Sequence, residues 1–200
     1  MSTTDLVKQK SGFTIVELLI AMAGFSFVLL LVTIVMISIG NLYSKGINKT
    51  KIEDANRYIV EDLSKQLKYN YSTSFSYIPD NPDTTGVYCI GNIKYSYQIG
   101  VMPTTTDYAL KRSYMGPGDT CVKSNTGDEL VPNNSMLTSF KIDQQPLGGK
   151  QYFIEAALLY GSKDNLVNPS ELSDNPECKV DNSYQYCAVT SLKTVVTSRL

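Results

Sequence analysis

One stretch of this chain constrains everything else: from Leu18 to Gly40 there are 23 residues with neither a charge nor a proline. Leu, Ile, Val, Phe, Met and Ala dominate it. At about 1.5 Å per residue, a helix of that length crosses a hydrocarbon core about 30 Å thick. The chain beyond it is polar, rich in Asn, Ser, Thr and Tyr, and reads as a soluble domain. A length of 200 residues suits one domain plus an appended element. One span and one domain is the expected organisation.

Residues 1–12 are short and polar, with Lys8 and Lys10 just ahead of the apolar run. Positive charge on that side retains the N-terminus in the cytoplasm and sends the residues after Gly40 outward. A cleaved secretory signal is the competing reading, with Ser38-Ile39-Gly40 as its processing site. Such signals carry an apolar core of about 7–15 residues, and this run is far longer. A retained anchor is the expectation.

Acidic and basic residues nearly cancel, 19 against 18, so nothing predicts a broad basic surface for nucleic acid. Histidine is absent. That removes the commonest general base, the usual zinc ligand and every Ser/His or Cys/His nucleophile pair. No catalytic constellation, cofactor motif or metal motif replaces them, and the chain is read as a non-enzyme. Asp80-Asn81-Pro82-Asp83 and the stretch Asp164 to Asp174 supply oxygen ligands without the spacing of a calcium loop, so both read as solvated turns. Gly116-Pro117-Gly118-Asp119 lacks the ending of a phosphate loop and reads as a tight turn.

All four cysteines, Cys89, Cys121, Cys178 and Cys187, lie beyond the span. An even number on one side of a membrane favours disulfides over zinc, since no C-x-x-C pair is present. Three connectivities are open. The close spacing of Cys178 and Cys187 favours a local bridge, leaving Cys89 with Cys121.

The junction between leader and span reads Lys10-Ser11-Gly12-Phe13-Thr14-Ile15-Val16-Glu17-Leu18-Leu19. Glu17 stands alone against the apolar run. A carboxylate near hydrocarbon either sits at headgroup level or needs a cationic partner. Gly12 to Leu19 resembles the class III signal of type IV pilins and secretion-system pseudopilins. The resemblance implies cleavage between Gly12 and Phe13 by a membrane prepilin peptidase, with N-methylation of Phe13. It also assigns Glu17 to subunit docking. Cleavage creates an α-amino group on Phe13, and the Glu17 of a neighbouring subunit could pair with it. In low dielectric either charge left alone is costly, so such a pair sets register more than affinity. The partners implied are the prepilin peptidase, other pilin subunits, an inner-membrane assembly platform, and the membrane itself before assembly. Many major pilins carry a proline in this segment; its absence here points to a minor subunit.

Helical spacing continues from Asn41 to about Tyr69, where Ile52, Ile59, Leu63 and Leu67 share a face. Glu53/Arg57 and Glu61/Lys65 are placed as i,i+4 pairs. Gly24, Gly40 and Gly46 mark local weak points. Tyr71 to Gly86 reads as a loop. Val87 to Ile99 reads as two strands around Gly91-Asn92, a type II′ hairpin with Ile93, Tyr95, Tyr97 and Ile99 on one face. Further strands are expected at Tyr108–Tyr114, Ser139–Asp143, Tyr152–Tyr160 and Tyr186–Val196. The predicted fold class is α+β: a long N-terminal α-helix, half transmembrane and half amphipathic, packed against a mainly antiparallel β-sheet. Its parts are a leader at 1–12, a span and filament-core helix at 13–40, an amphipathic continuation at 41–70, and an extracytoplasmic β-rich domain at 71–200.

Lys94–Ile99, Leu110-Lys111-Arg112 and Phe140-Lys141-Ile142 are also similar to the larger minor pilins and pseudopilins of the W/J class. The functional expectation is a structural subunit of a type IV pilus, first in the inner membrane and then in a surface filament. A pseudopilin of a secretion or DNA-uptake machine shares the same N-terminus. An anchored adhesive module that never polymerises is the third reading. For it, the 14 tyrosines and the Asp181-Asn182-Ser183-Tyr184 loop inside the Cys178–Cys187 bridge supply candidate contact surface.

Overall fold

Thr14 caps a long helix, α1 (Ile15–Tyr69). In this computed structural model the described residues are 12–69, 75–81, 84–145, 151–168, 172, 175–179 and 186–199. The chain divides into two compact units, Met1–Leu42 and Tyr43–Leu200, and α1 contributes to both.

In the first unit every residue from Gly12 to Leu42 is exposed. This part of α1 is long and apolar enough to cross a membrane. Its few hydroxyls are satisfied within the helix. Ser26, Thr33 and Ser38 each donate to the carbonyl four residues earlier, at 2.9, 2.8 and 3.0 Å. Such back-bonding leaves none of these three hydroxyls requiring water. Gly24, Gly40 and Gly46 lie inside α1 without ending it.

In the second unit α1 becomes amphipathic in fact as well as in pattern. Ile52, Asn56, Ile59, Leu63 and Leu67 recur at three- or four-residue spacing and are all buried. They meet two antiparallel sheets. One is a five-stranded meander of β1 (Phe75–Asn81), β2 (Thr85–Ile90), β3 (Ile93–Gln98), β4 (Leu110–Tyr114) and β5 (Asp128–Glu129) in sequential order. The other contains β6 (Ser135–Gln144), β7 (Gln151–Tyr160) and β8 (Ala188–Thr197), again in order. A single core joins Ile59, Leu63 and Leu67 to Tyr95 and Leu110 of the first sheet and to Phe140, Ile154 and Leu158 of the second. The fold is therefore α+β, with helix packed on sheet.

The Gly91-Asn92 turn joins β2 to β3. Gly91 has φ 63° and Asn92 is not in the left-handed region, the sign pattern of a type II′ turn. Ile93, Tyr95 and Tyr97 point into the core as their alternation predicts. Tyr88 bridges the sheets: it stacks between Tyr77 and Tyr97, meets Phe140 edge-on, and its hydroxyl accepts from the Ile142 amide at 3.2 Å. A glycine is required at 127. Its φ is 122°, and a Cβ there would collide with the Arg112 carbonyl.

Several sequence expectations need correction. Phe75–Asn81 is a strand, not loop; Tyr77 and Phe75 hold it against Tyr88 and Tyr152. The β structure forms two sheets. β5 is an additional, two-residue strand fixed by pairing with Lys111 and Arg112. β6 starts at Ser135, four residues before the expected point, because Ser135–Leu137 pair with Leu158–Tyr160 across a bulge. On α1, Glu53 pairs with Lys49 at 3.6 Å instead of Arg57, and Glu61 and Lys65 form no ion pair among the described residues.

Candidate assembly site

Thr14 and Glu17 organise the start of α1. The Thr14 amide and hydroxyl both donate to Glu17 Oε2 at 3.0 Å, while the Glu17 amide donates to Thr14 Oγ1 at 3.3 Å. This is a reciprocal capping box, in which an N-cap threonine and a glutamate three residues on satisfy otherwise orphaned amides. The Thr-x-x-Glu spacing announces it in the sequence, yet the charge of Glu17 draws attention first. Gly12 and Phe13 precede the helix in irregular backbone, and Phe13 is 85% exposed. The structure thus brings Gly12, Phe13 and Glu17 within one turn of the helix start. Glu17 has its own helix cap as partner. Lys8 and Lys10, with the rest of residues 1–11, lie outside the described residues.

The cysteines lie in the second unit, as two bridges. Cys89 of β2 joins Cys121 across 32 residues, with Cα atoms 6.0 Å apart. Cys178 joins Cys187 across 9 residues, at 5.9 Å. The Asp181–Tyr184 loop inside the second bridge lies outside the described residues, as do parts of both acidic segments weighed for calcium. Among the described residues no group of three His, Cys, Asp or Glu side chains converges on a metal position. At the tight turn, the Asp119 amide bonds to the Gly116 carbonyl and its carboxylate accepts the Gly116 amide.

Buried polar groups in the second unit tie elements together. Asp62 of α1 accepts the Tyr95 hydroxyl at 2.6 Å and pairs with Arg112 of β4 at 3.5 Å, while Arg112 also reaches the Tyr114 hydroxyl. Burial, then the hydrogen bond to Asp62 and its charge, hold the Tyr95 phenol protonated well above its ordinary range. Asn56 donates to the Ala156 carbonyl at 3.1 Å, fastening α1 to the central strand of the second sheet. On the opposite face of β7, Glu155 accepts from Ser139 at 2.8 Å and pairs with Lys193 at 3.1 Å. Glu129 accepts the amides of Ala109, Leu110 and Val131, but burial outweighs these bonds and raises its pKa. None of these long-range pairings is readable from sequence spacing.

No family model, curated protein or solved structure matches this chain.

Proposed function

We propose that this chain is a structural, pilin-like subunit, probing no substrate of its own and polymerising through the apolar part of α1 after removal of residues 1–12. The observation that carries the reading is the pairing of opposites at the helix start. A carboxylate, Glu17, stands within one turn of the Gly12–Phe13 junction, directly ahead of an apolar helix surface that the chain leaves entirely exposed. In a membrane, lipid covers that surface. In a filament, equivalent helices of other subunits do, and the α-amine of a processed Phe13 meets the Glu17 of a neighbour. An uncompensated charge in that setting is penalised, so the pair selects one register. Two disulfides suit an oxidising exterior, and the positive residues Lys8 and Lys10 ahead of the span favour a cytoplasmic N-terminus. Absence of proline from Leu18–Gly40 favours a minor subunit over a major one.

N-terminal mass spectrometry of the protein from its native membranes tests the proposal. The expected mature chain begins with N-methylated Phe13. An intact Met1, or a start after Gly40, would overturn it and leave an anchored domain or a secreted one.

A further inference from the structure

Four strand edges bound the two sheets, and three of them are closed to further pairing. β1 contains Pro79 and a register shift between Pro79 and Asn81. β5 is two residues long. The outer side of β6 is occupied: Leu137 accepts the Gly100 amide at 2.8 Å, and the Ile142 amide donates to Tyr88. The fourth edge differs. β8 runs ten residues in unbroken register with β7, contains no proline, and has no strand on its other side among the described residues. Such an edge presents backbone donors and acceptors to any extended chain that fits beside it.

Beside that edge lies a groove of about 820 Å³, floored by Val60, Ser64, Lys65 and Lys68 of α1 and walled by Thr194–Arg199. Val196 and Leu192 pack into the core beneath it, so the even-numbered residues of β8 face α1. The groove's charges are Lys65, Lys68 and Arg199 against Glu61 alone. At its end Ser198 is only 4% exposed, and its hydroxyl has no hydrogen-bond partner among the described residues.

We propose that the free edge of β8 and the adjoining groove accept an acidic, extended segment of a partner protein as an added strand. Pairing to β8 supplies main-chain hydrogen bonds. Carboxylates at one end of the incoming strand meet Lys65, Lys68 and Arg199. A second copy of this chain fits less well. From Ala188 to Arg199 there is no acid, and Lys193 is already paired with Glu155, so another β8 brings no carboxylate to Lys65, Lys68 and Arg199. The inference concerns only the unit Tyr43–Leu200 and does not rest on filament formation.

The test uses the full chain in detergent and two labelled synthetic peptides with the same alternating Val/Thr pattern. One carries Glu at its polar positions and the other Lys. Fluorescence anisotropy should show the Glu peptide binding at least about tenfold more tightly, as charge complementarity selects between otherwise equal strands. Its binding should slow amide exchange across Thr190–Thr197. The K65E/K68E variant should reverse the preference with an unchanged circular dichroism spectrum. Absence of binding, equal binding of both peptides, or protection at another edge would overturn the proposal. Protection of β8 by self-association of the chain alone would overturn it in favour of a second copy.

Discussion

Glu17 is a helix cap, and the docking role proposed for it separates from capping by substitution. As a cap it accepts from the Thr14 amide and hydroxyl. As a docking group it must carry a negative charge to the amine of another subunit. Glutamine serves in a capping box as glutamate does, so Glu17→Gln keeps the cap and removes the charge. Thr14→Val does the reverse. Glu17→Gln is therefore expected to be inserted and processed but lost from sheared filaments, whereas Thr14→Val still enters them. Quantitative immunoblotting of filament and membrane fractions reads both; equal incorporation of Glu17→Gln would remove the docking role. A second residue, Asp62, tests packing instead. Its carboxylate holds Tyr95 and Arg112 together, and all three side chains are largely buried. Breaking a fully buried pair costs about 3–5 kcal/mol. Asp62→Asn preserves volume and one acceptor in a partly hydrated site, so a loss of about 2 kcal/mol is expected from the remaining unpaired charge. Tyrosine fluorescence during urea unfolding measures it, since the chain contains no tryptophan to obscure the signal.

Among elements, the two disulfides constrain very different lengths of chain. Cys89–Cys121 closes 32 residues and anchors the segment between β4 and β5 to β2. Cys178–Cys187 closes only 9. Loop-closure entropy assigns about 3.7 kcal/mol to the longer bridge and about 2.6 kcal/mol to the shorter. Paired serine variants should follow that order in unfolding midpoint; a larger loss for Cys178/Cys187 would locate the effect in native packing instead. How far the elements were readable from sequence follows similar physics. α1 is legible because burial repeats along it at helical spacing, and β2–Gly91-Asn92–β3 because alternation and turn chemistry agree. β1 is not, since Pro79, Asp80 and Asn81 read as loop while ring stacking on Tyr88 and Tyr152 decides the outcome. β5 owes its existence to a partner strand, and the division into two sheets depends on contacts far apart in sequence. At the candidate site, Glu17 is conspicuous as a charge, and that charge hid the Thr14 cap, which the structure reveals. Asp62 and Arg112 meet only once the helix has packed.

Across the whole molecule, tyrosine takes much of the role that aliphatic residues fill in other cores. Tyr88, Tyr95, Tyr97, Tyr108 and Tyr152 are buried, whereas Tyr43, Tyr58, Tyr69, Tyr114 and Tyr186 are more than half exposed. Burial comes first among the causes raising the pKa of each of the five buried phenols above the ordinary value of 10. Their protons bind more tightly in the folded state than in the unfolded chain. Below pH 10 both states are protonated and stability is unaffected by these groups. As pH rises above 10 the unfolded chain loses protons that the folded state retains, so stability falls with every further increase. Alkaline titration of phenolate absorbance should therefore show a late phase from the buried phenols. The buried set ionises later and abruptly, together with loss of the near-ultraviolet circular dichroism signal. In concentrated urea one phase near pH 10 should remain. Ionisation of the buried set near pH 10 without denaturant, with the signal retained, would mean that these phenols reach solvent and that the sheets are less tightly joined through Tyr88 than their packing implies.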